Sequence, residues 1–210
     1  AENDANACAW GELAFHRHKD LRDFIFCLVE LRDIERTQIV HEKTAVGFGI
    51  AIGGRVHYGL KRSAGEFRSI FRNHEHKGQF ALRDEEAARI EEDPEVMDRF
   101  LREFSRHVGL FVNTFNLSHV FIGGNLDFER ANMRDILYEE IQRNWAYPDE
   151  AWVQIGYSSL RERAVAYGAA GMVLERMFAD AETVKGVADS GRGGAILQPG
   201  WPLGDTVVGT

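Results

Sequence analysis

Residues 44–69, TAVGFGIAIGGRVHYGLKRSAGEFRS, decide how this chain reads. Gly47 and Gly49 sit among β-forming residues. The chain turns at Gly53-Gly54, resumes as Arg55-Val56-His57-Tyr58-Gly59, and reaches Ala64-Gly65-Glu66. A Gly-Gly pair between short β-type runs predicts a tight hairpin, because both central residues of such a turn take positive φ. Glycines inside a strand remove side chains where a ligand or another backbone comes close. Glu66 follows the hairpin on an irregular segment and is placed to point into a cleft. The plainer reading is a Gly-rich hairpin with a surface Glu.

Upstream, Phe24-Ile25-Phe26-Cys27-Leu28-Val29 is a continuous apolar run, as expected of a strand buried on both faces. The charged stretch Glu30 to Glu42 reads as a surface hairpin or loop. Downstream, Leu82 to Glu92 is charged and helix-permissive. Asp93-Pro94 marks an N-cap followed by proline at the first helical position. Val96, Phe100, Phe104, Val108, Phe111 and Phe115 then recur at helical spacing, a core or subunit-interface stripe. His119 to Ile122 is a short strand with Gly123-Gly124 as a tight turn after it. Met133, Ile136, Leu137, Ile141 and Trp145 mark a further helix, Trp152 to Ile155 a strand, and Arg163 to Phe178 a helix in which Gly168-Ala169-Ala170 permits close packing. From Glu182 on, glycines and prolines predict a flexible tail.

Composition narrows the functions. With 210 residues, 44% hydrophobic content and 14 Phe, the chain can build one large or two small domains with a real core. A net charge of -8 argues against this chain being a nucleic-acid-binding surface. No long apolar run and no leader pattern is present, so a cytoplasmic protein without a membrane partner is expected. Cys8 and Cys27 lie in apolar runs and read as buried thiols of a reducing compartment.

The first residues complete a pattern. Asn3-Asp4 precedes the Ala-rich, helix-permissive run from Ala5 to Phe15, with Asp4 suited to the N-cap. Together, Glu2-Asn3-Asp4-Ala5-Asn6-Ala7, the Gly-rich hairpin, Ala64-Gly65-Glu66, Val120-Phe121-Ile122-Gly123-Gly124 and Tyr167-Gly168-Ala169-Ala170 resemble, in order, the motifs of the ROK family (repressors, open reading frames, kinases). The resemblance spans roughly Glu2 to Met177. It implies an α/β fold: an actin-like ATPase or sugar-kinase (ribonuclease-H-like) lobe with a mixed sheet and flanking helices. Residues 1–181 are expected to be the C-terminal, sugar-binding lobe and 182–210 the tail, with the N-terminal lobe and any helix-turn-helix outside this chain.

The resemblance also assigns residues. Asn3, Asp4 and Glu66 match family positions that bind sugar hydroxyls, and Asp4 matches the general base of the kinases. A fixed carboxylate within reach of a hydroxyl serves recognition or proton abstraction alike. Thr44, Gly47 and Gly49 match the phosphate loop, while Lys43, Ala45 and Phe48 replace three of its glycines. Gly123 and Gly124 match the turn beside a nucleotide's adenosine. Arg68-Ser69 replaces the family's Gly-His. Ser69 can hydrogen-bond a sugar hydroxyl but is a poor zinc ligand. The family's zinc-binding cysteine cluster is missing, and Asn73-His74-Glu75-His76 reads as a solvated loop, so no metal is expected.

These departures favour the sugar-binding effector domain of a ROK-type bacterial transcriptional regulator, without kinase activity or cofactor. The alternative is an ATP-dependent, glucokinase-like hexose kinase using ATP and Mg. Partners expected on the first reading are a monosaccharide or sugar derivative, DNA through a module outside this chain, and a second copy in a homodimer.

Overall fold

The computed structural model describes residues 3–15, 21–33, 39–73, 75, 77–126 and 132–179. Its centre is β1 (Phe24–Leu31), flanked on one edge by β2 (Thr44–Ile52) and β3 (Arg55–Val56), and on the other by β4 (His119–Gly124) and β5 (Gln154–Tyr157). The sheet order is β3-β2-β1-β4-β5. β2 runs antiparallel to β1 and β3, whereas β1, β4 and β5 are parallel. This is a mixed sheet with flanking helices, as the sequence leads one to expect.

Strand period explains the two layers. Ile25, Cys27, Val29 and Leu31 join the larger core with α2 (Asp84–Ala88), the long α3 (Pro94–Phe115) and α4 (Met133–Arg143). Phe24, Phe26 and Leu28 face the other side and pack on α1 (Asp4–Phe15) and the start of α5 (Ala164–Ala179). The apolar run of β1 is thus buried on both faces, as its lack of alternation predicts.

The hairpin forms where the sequence places it. Gly53 and Gly54 have φ of 61° and 76°, and each donates its N–H to the segment leading into β1, to Asp23 Oδ1 at 2.7 Å and to the Arg22 carbonyl at 2.9 Å. Asp93 caps α3, accepting from the N–H of Glu95 at 3.0 Å and of Val96 at 3.3 Å, with Pro94 in the first turn. The α3 stripe is buried through Val108; beyond it Phe111 is half-buried and Phe115 exposed. Gly168 lets α5 approach α1; a Cβ there would stand 1.8 Å from the Ala7 carbonyl oxygen.

Three further boundaries differ. Gly123 and Gly124 are not a turn; they continue β4 opposite Leu28 and Val29, and a Gly123 Cβ would strike the Phe26 ring at 2.6 Å. β5 starts two residues later than predicted, leaving Trp152 91% exposed. The charged stretch 82–92 forms helix only over Asp84–Ala88.

The chain divides into two compact units, Ala1–Met172 and Val173–Thr210. Of the second, the end of α5 is described; the predicted tail 182–210 lies outside the described residues. No described helix is long and apolar enough to cross a membrane.

Candidate functional site

The start of α1 is built by one side chain. The Asn3 carbonyl accepts from the N–H of Asn6 at 3.0 Å and of Ala7 at 3.2 Å, and Asn3 Oδ1 accepts from the Ala5 N–H at 2.8 Å. Asn3, not Asp4, is therefore the N-cap. That bond fixes the amide's orientation, so Asn3 Nδ2 faces outward and donates to Glu66 Oε1 at 3.2 Å, linking positions 63 residues apart. Asp4 occupies the first helical position with its carboxylate exposed.

Glu66 is brought there by the segment behind it. Gly65 adopts φ of 88° directly against β2, where a Cβ would lie 1.7 Å from the Phe48 carbonyl oxygen; its own carbonyl accepts from the Phe48 N–H at 3.0 Å. Gln79 extends this clamp. Its Oε1 accepts from the Val46 N–H at 2.7 Å, and its Nε2 donates to the carbonyls of Val46 at 2.9 Å and Phe67 at 3.1 Å. One amide thereby stands in for a missing neighbouring strand along the edge of β2.

These elements enclose an open cavity of about 520 Å³, large enough for a small ligand. Asn3, Asp4, Thr44, Gly47 and Glu66 line it, as do Gln79 and the cations Arg32, Arg68 and Lys77. The carboxylates of Asp4 and Glu66 can only accept hydrogen bonds when ionised, and the Asn3 amide can offer a donor, a set suited to polyhydroxylated ligands.

Ser69 does not join them. It is buried, its Oγ lying 3.0 Å from His107 Nε2 and accepting the Phe71 N–H at 3.1 Å. Phe67, Phe71 and Ser69 surround His107, and burial lowers its pKa below the ordinary imidazole value. Gly123 and Gly124 are also outside the cavity lining.

The stretch matched to a phosphate loop is mostly strand. Such loops gather free backbone N–H groups around an anion. Here the N–H groups of Val46 and Phe48 are donated to Gln79 and Gly65, and residues 44–51 form a ladder with β1. Gly49 is covered by α1: a Cβ would stand 2.1 Å from the Ala5 carbonyl oxygen. The Phe48 ring turns into the core against Phe67, Phe104 and Phe111. The buried Lys43 pairs with Glu91. The N–H groups of Val46 and Phe48 are therefore engaged within the protein, while Thr44 and Gly47 line the cavity.

Two polar features escape sequence reading. Gln79 carries no motif; only the fold makes it a clamp. Glu12, fully buried, accepts from Ser158 Oγ at 2.6 Å, Ser159 N–H at 2.9 Å and Ser159 Oγ at 2.9 Å, tying α1 to the loop after β5. A lone carboxylate in an Ala-rich run was its available signal. Cys8, a buried residue of the same helix, has its thiol pushed up to about 12 by burial, reinforced by the charges of Asp4, Glu12 and Glu30. Burial likewise raises Cys27. No group of metal-ligating side chains occurs among the described residues, and His74 and His76 lie outside them.

No family model and no curated protein matches the chain. Solved structures do. A ROK family glucokinase from Streptomyces griseus, in complex with glucose and AMPPNP, superposes with a TM-score of 0.54 at 21% identity, covering 82% of this chain and 67% of its own. A ROK family transcriptional regulator, homolog of the E. coli MLC protein, gives 0.55 at 21% identity over 80% of this chain and 50% of its own. A ROK family protein from Streptococcus pneumoniae TIGR4, in complex with sucrose, gives 0.59 at 16% identity over 85% and 66%. The chain thus spans one half to two thirds of the length of these proteins. At these identities the likeness establishes the fold, which kinases and a regulator share.

Proposed function

We propose that this chain is the sugar-binding C-terminal lobe of a ROK-type protein, and that it serves as the effector domain of a transcriptional regulator rather than as a kinase. The observation that carries the sugar-site reading is the Asn3–Glu66 hydrogen bond in the cavity wall, with Asp4 beside it. It joins the helix start and the post-hairpin segment into one hydroxyl-binding wall. Two sugar hydroxyls donating to the free oxygens of Asp4 and Glu66, and one accepting from the Asn3 amide, would be recognised there.

The engagement of the Val46 and Phe48 N–H groups, and the pairing of Lys43 with Glu91, favour binding without phosphoryl transfer. In a regulator, sugar must bind two arrangements of the protein with different affinity in order to shift DNA binding. The DNA-contacting module would be another part of the protein, consistent with the acidic character of this one.

The kinase reading keeps one specific support. The Asp4 carboxylate is exposed to the cavity and has no hydrogen-bond partner among the described residues, as a base receiving a hydroxyl proton requires. The deciding experiment titrates a panel of hexoses and pentoses into the intact protein and into the Glu66→Ala variant, with a coupled assay for ATP- and Mg-dependent turnover alongside. Losing a hydrogen bond to a charged group is worth about 1.5–3 kcal/mol, so sugar binding should weaken about tenfold or more. The intact protein should show no turnover. Robust turnover abolished by Asp4→Asn would establish the kinase instead, and unchanged sugar affinity in Glu66→Ala would remove the site assignment.

A further inference from the structure

The sheet has two edges, and the protein guards one of them. Beyond β2, the edge strand β3 is two residues long and carries the charge of Arg55. On the same side of β2, the N–H groups of Val46 and Phe48 go to Gln79 and to the Gly65 carbonyl, and the Ile50 carbonyl accepts from His57 at 2.7 Å. Shortness, charge and cover are the devices that keep an edge from recruiting another strand.

The β5 edge is built differently. Gln154–Tyr157 contains no charged residue and no proline. The Gln154 N–H donates to the Ser118 carbonyl at 2.9 Å and the Ser158 N–H to the Ile122 carbonyl at 2.8 Å, so the even-numbered residues face β4. Backbone direction alternates along a strand, so Ile155 turns its N–H and C=O outward, where neither meets a partner among the described residues. A cleft of about 600 Å³ lies here, between Val153, Gln154 and Ile155 of the edge and Arg134, Asp135 and Tyr138 of α4. The Tyr138 hydroxyl donates to Glu150 Oε2 at 3.4 Å, which sets a second exposed carboxylate beside Asp135. On the other face, nothing lies within 4 Å of a Cβ built at Gly156.

We propose that β5 is a docking edge for an extended, basic segment of another polypeptide, which joins the sheet as a further strand and lays an arginine or lysine in the cleft beside α4. The unpaired groups specify the occupant. A donor and an acceptor of one residue, turned the same way on a strand edge, are met together by the backbone of an extended chain. A helix has spent those groups on itself. Ile155 packs in the core with Ile136 and Leu137 of α4, so a residue paired opposite it points to the same face, toward Tyr138. There Asp135 and Glu150 outnumber Arg134, in a chain of net charge -8, which favours a cation and disfavours nucleic acid. The edge shares no lining residue with the Asn3–Glu66 cavity, so the inference stands apart from the sugar-site reading.

The test titrates the intact protein into a dye-labelled heptapeptide of alternating threonine and valine with arginine at its centre. Two further peptides carry central glutamate, or central arginine with its backbone nitrogen methylated. The arginine peptide should bind saturably, and the other two about tenfold or more weakly. Binding should weaken in high salt and in the double variant Asp135→Asn, Glu150→Gln, whose urea midpoint should match the parent. Amide exchange followed by NMR should show the Ile155 N–H becoming protected on adding peptide, with the Val56 N–H of the opposite edge unchanged. No saturable binding, equal affinity for the methylated or the glutamate peptide, or protection elsewhere than at β5 overturns the proposal. A dimer that the peptide dissociates assigns the edge to a second copy, and a DNA duplex that the peptide displaces assigns it to nucleic acid; either result overturns it too.

Discussion

Substituting Gly49 by alanine should damage both the fold and the site, because one atom there separates β2 from α1. The new Cβ would stand 2.1 Å from the Ala5 carbonyl oxygen, 2.7 Å from its carbon and 2.8 Å from Ala9 Cβ. Ordinary contact is about 3.5 Å, so α1 must retreat by roughly 1.4 Å. The obstacle is backbone, so no rotamer change relieves it. A gap of 0.5–1 Å already forfeits roughly a quarter to a half of each dispersion contact, and Ala5, Cys8 and Ala9 all pack on this side of the sheet. Overpacking of this kind costs about 1–3 kcal/mol. For a chain of this size that lowers Tm by about 2–12 °C. The retreat also carries Asn3 away from Glu66, whose 3.2 Å bond has no slack, so ligand affinity should fall as well. Urea denaturation followed by circular dichroism, with sugar titration of the same preparations, measures both. Gly156→Ala is the control: nothing lies within 4 Å of its would-be Cβ, and its stability should move by less than about 1 kcal/mol. A Gly49→Ala protein within about 0.5 kcal/mol of the parent, with the same denaturant slope and unchanged ligand affinity, would refute the account of how α1 is seated.

Glu12→Ala should destabilise the chain by about 3 kcal/mol or more, because it strands the three donors from Ser158 and Ser159 that its buried carboxylate receives; equilibrium unfolding checks it, and a loss below about 1 kcal/mol contradicts the latch. Cys8 and Cys27 should resist Ellman's reagent at pH 8 until the chain is unfolded, since burial keeps both thiols protonated far above that pH; prompt labelling of either native thiol would contradict it. His107 has a folded pKa lowered by burial, so the unfolded chain takes up the proton first and stability falls as pH drops below about 6.5. The urea midpoint should therefore decline less between pH 7 and pH 5 in His107→Gln than in the parent, and identical slopes would exclude this contribution.

Local chemistry was legible in the chain alone, for reasons that need no partner. Gly53-Gly54 forms its turn because positive φ is a property of the residue, and Asp93-Pro94 opens α3 because the cap and the ring act on their own backbone. The unbroken apolar run of β1 announces burial on both faces whatever covers them. The same logic failed by one residue at the other cap: Asn3 and Asp4 are both good caps, and only the seating of α1 on Gly47 and Gly49 selects Asn3.

What only the tertiary structure decided is which way side chains face and which distant groups meet. Alternation in β2 shows that Phe48 and Gly49 point to opposite faces, but not which face is the core. Register against β1 sends Phe48 inward and lays Gly49 under α1. Ser69 turns to the buried His107, while Arg68, its neighbour, faces the cavity. Asn3 and Glu66, Glu12 and Ser158, and Gln79 and Val46 are joined across 63, 146 and 33 residues. The sequence by itself determined β1, the Asp93 cap and the Gly53-Gly54 turn, because those follow from each residue's own backbone preferences; the ligand wall and its charge followed only once a five-stranded sheet had chosen a face for each side chain.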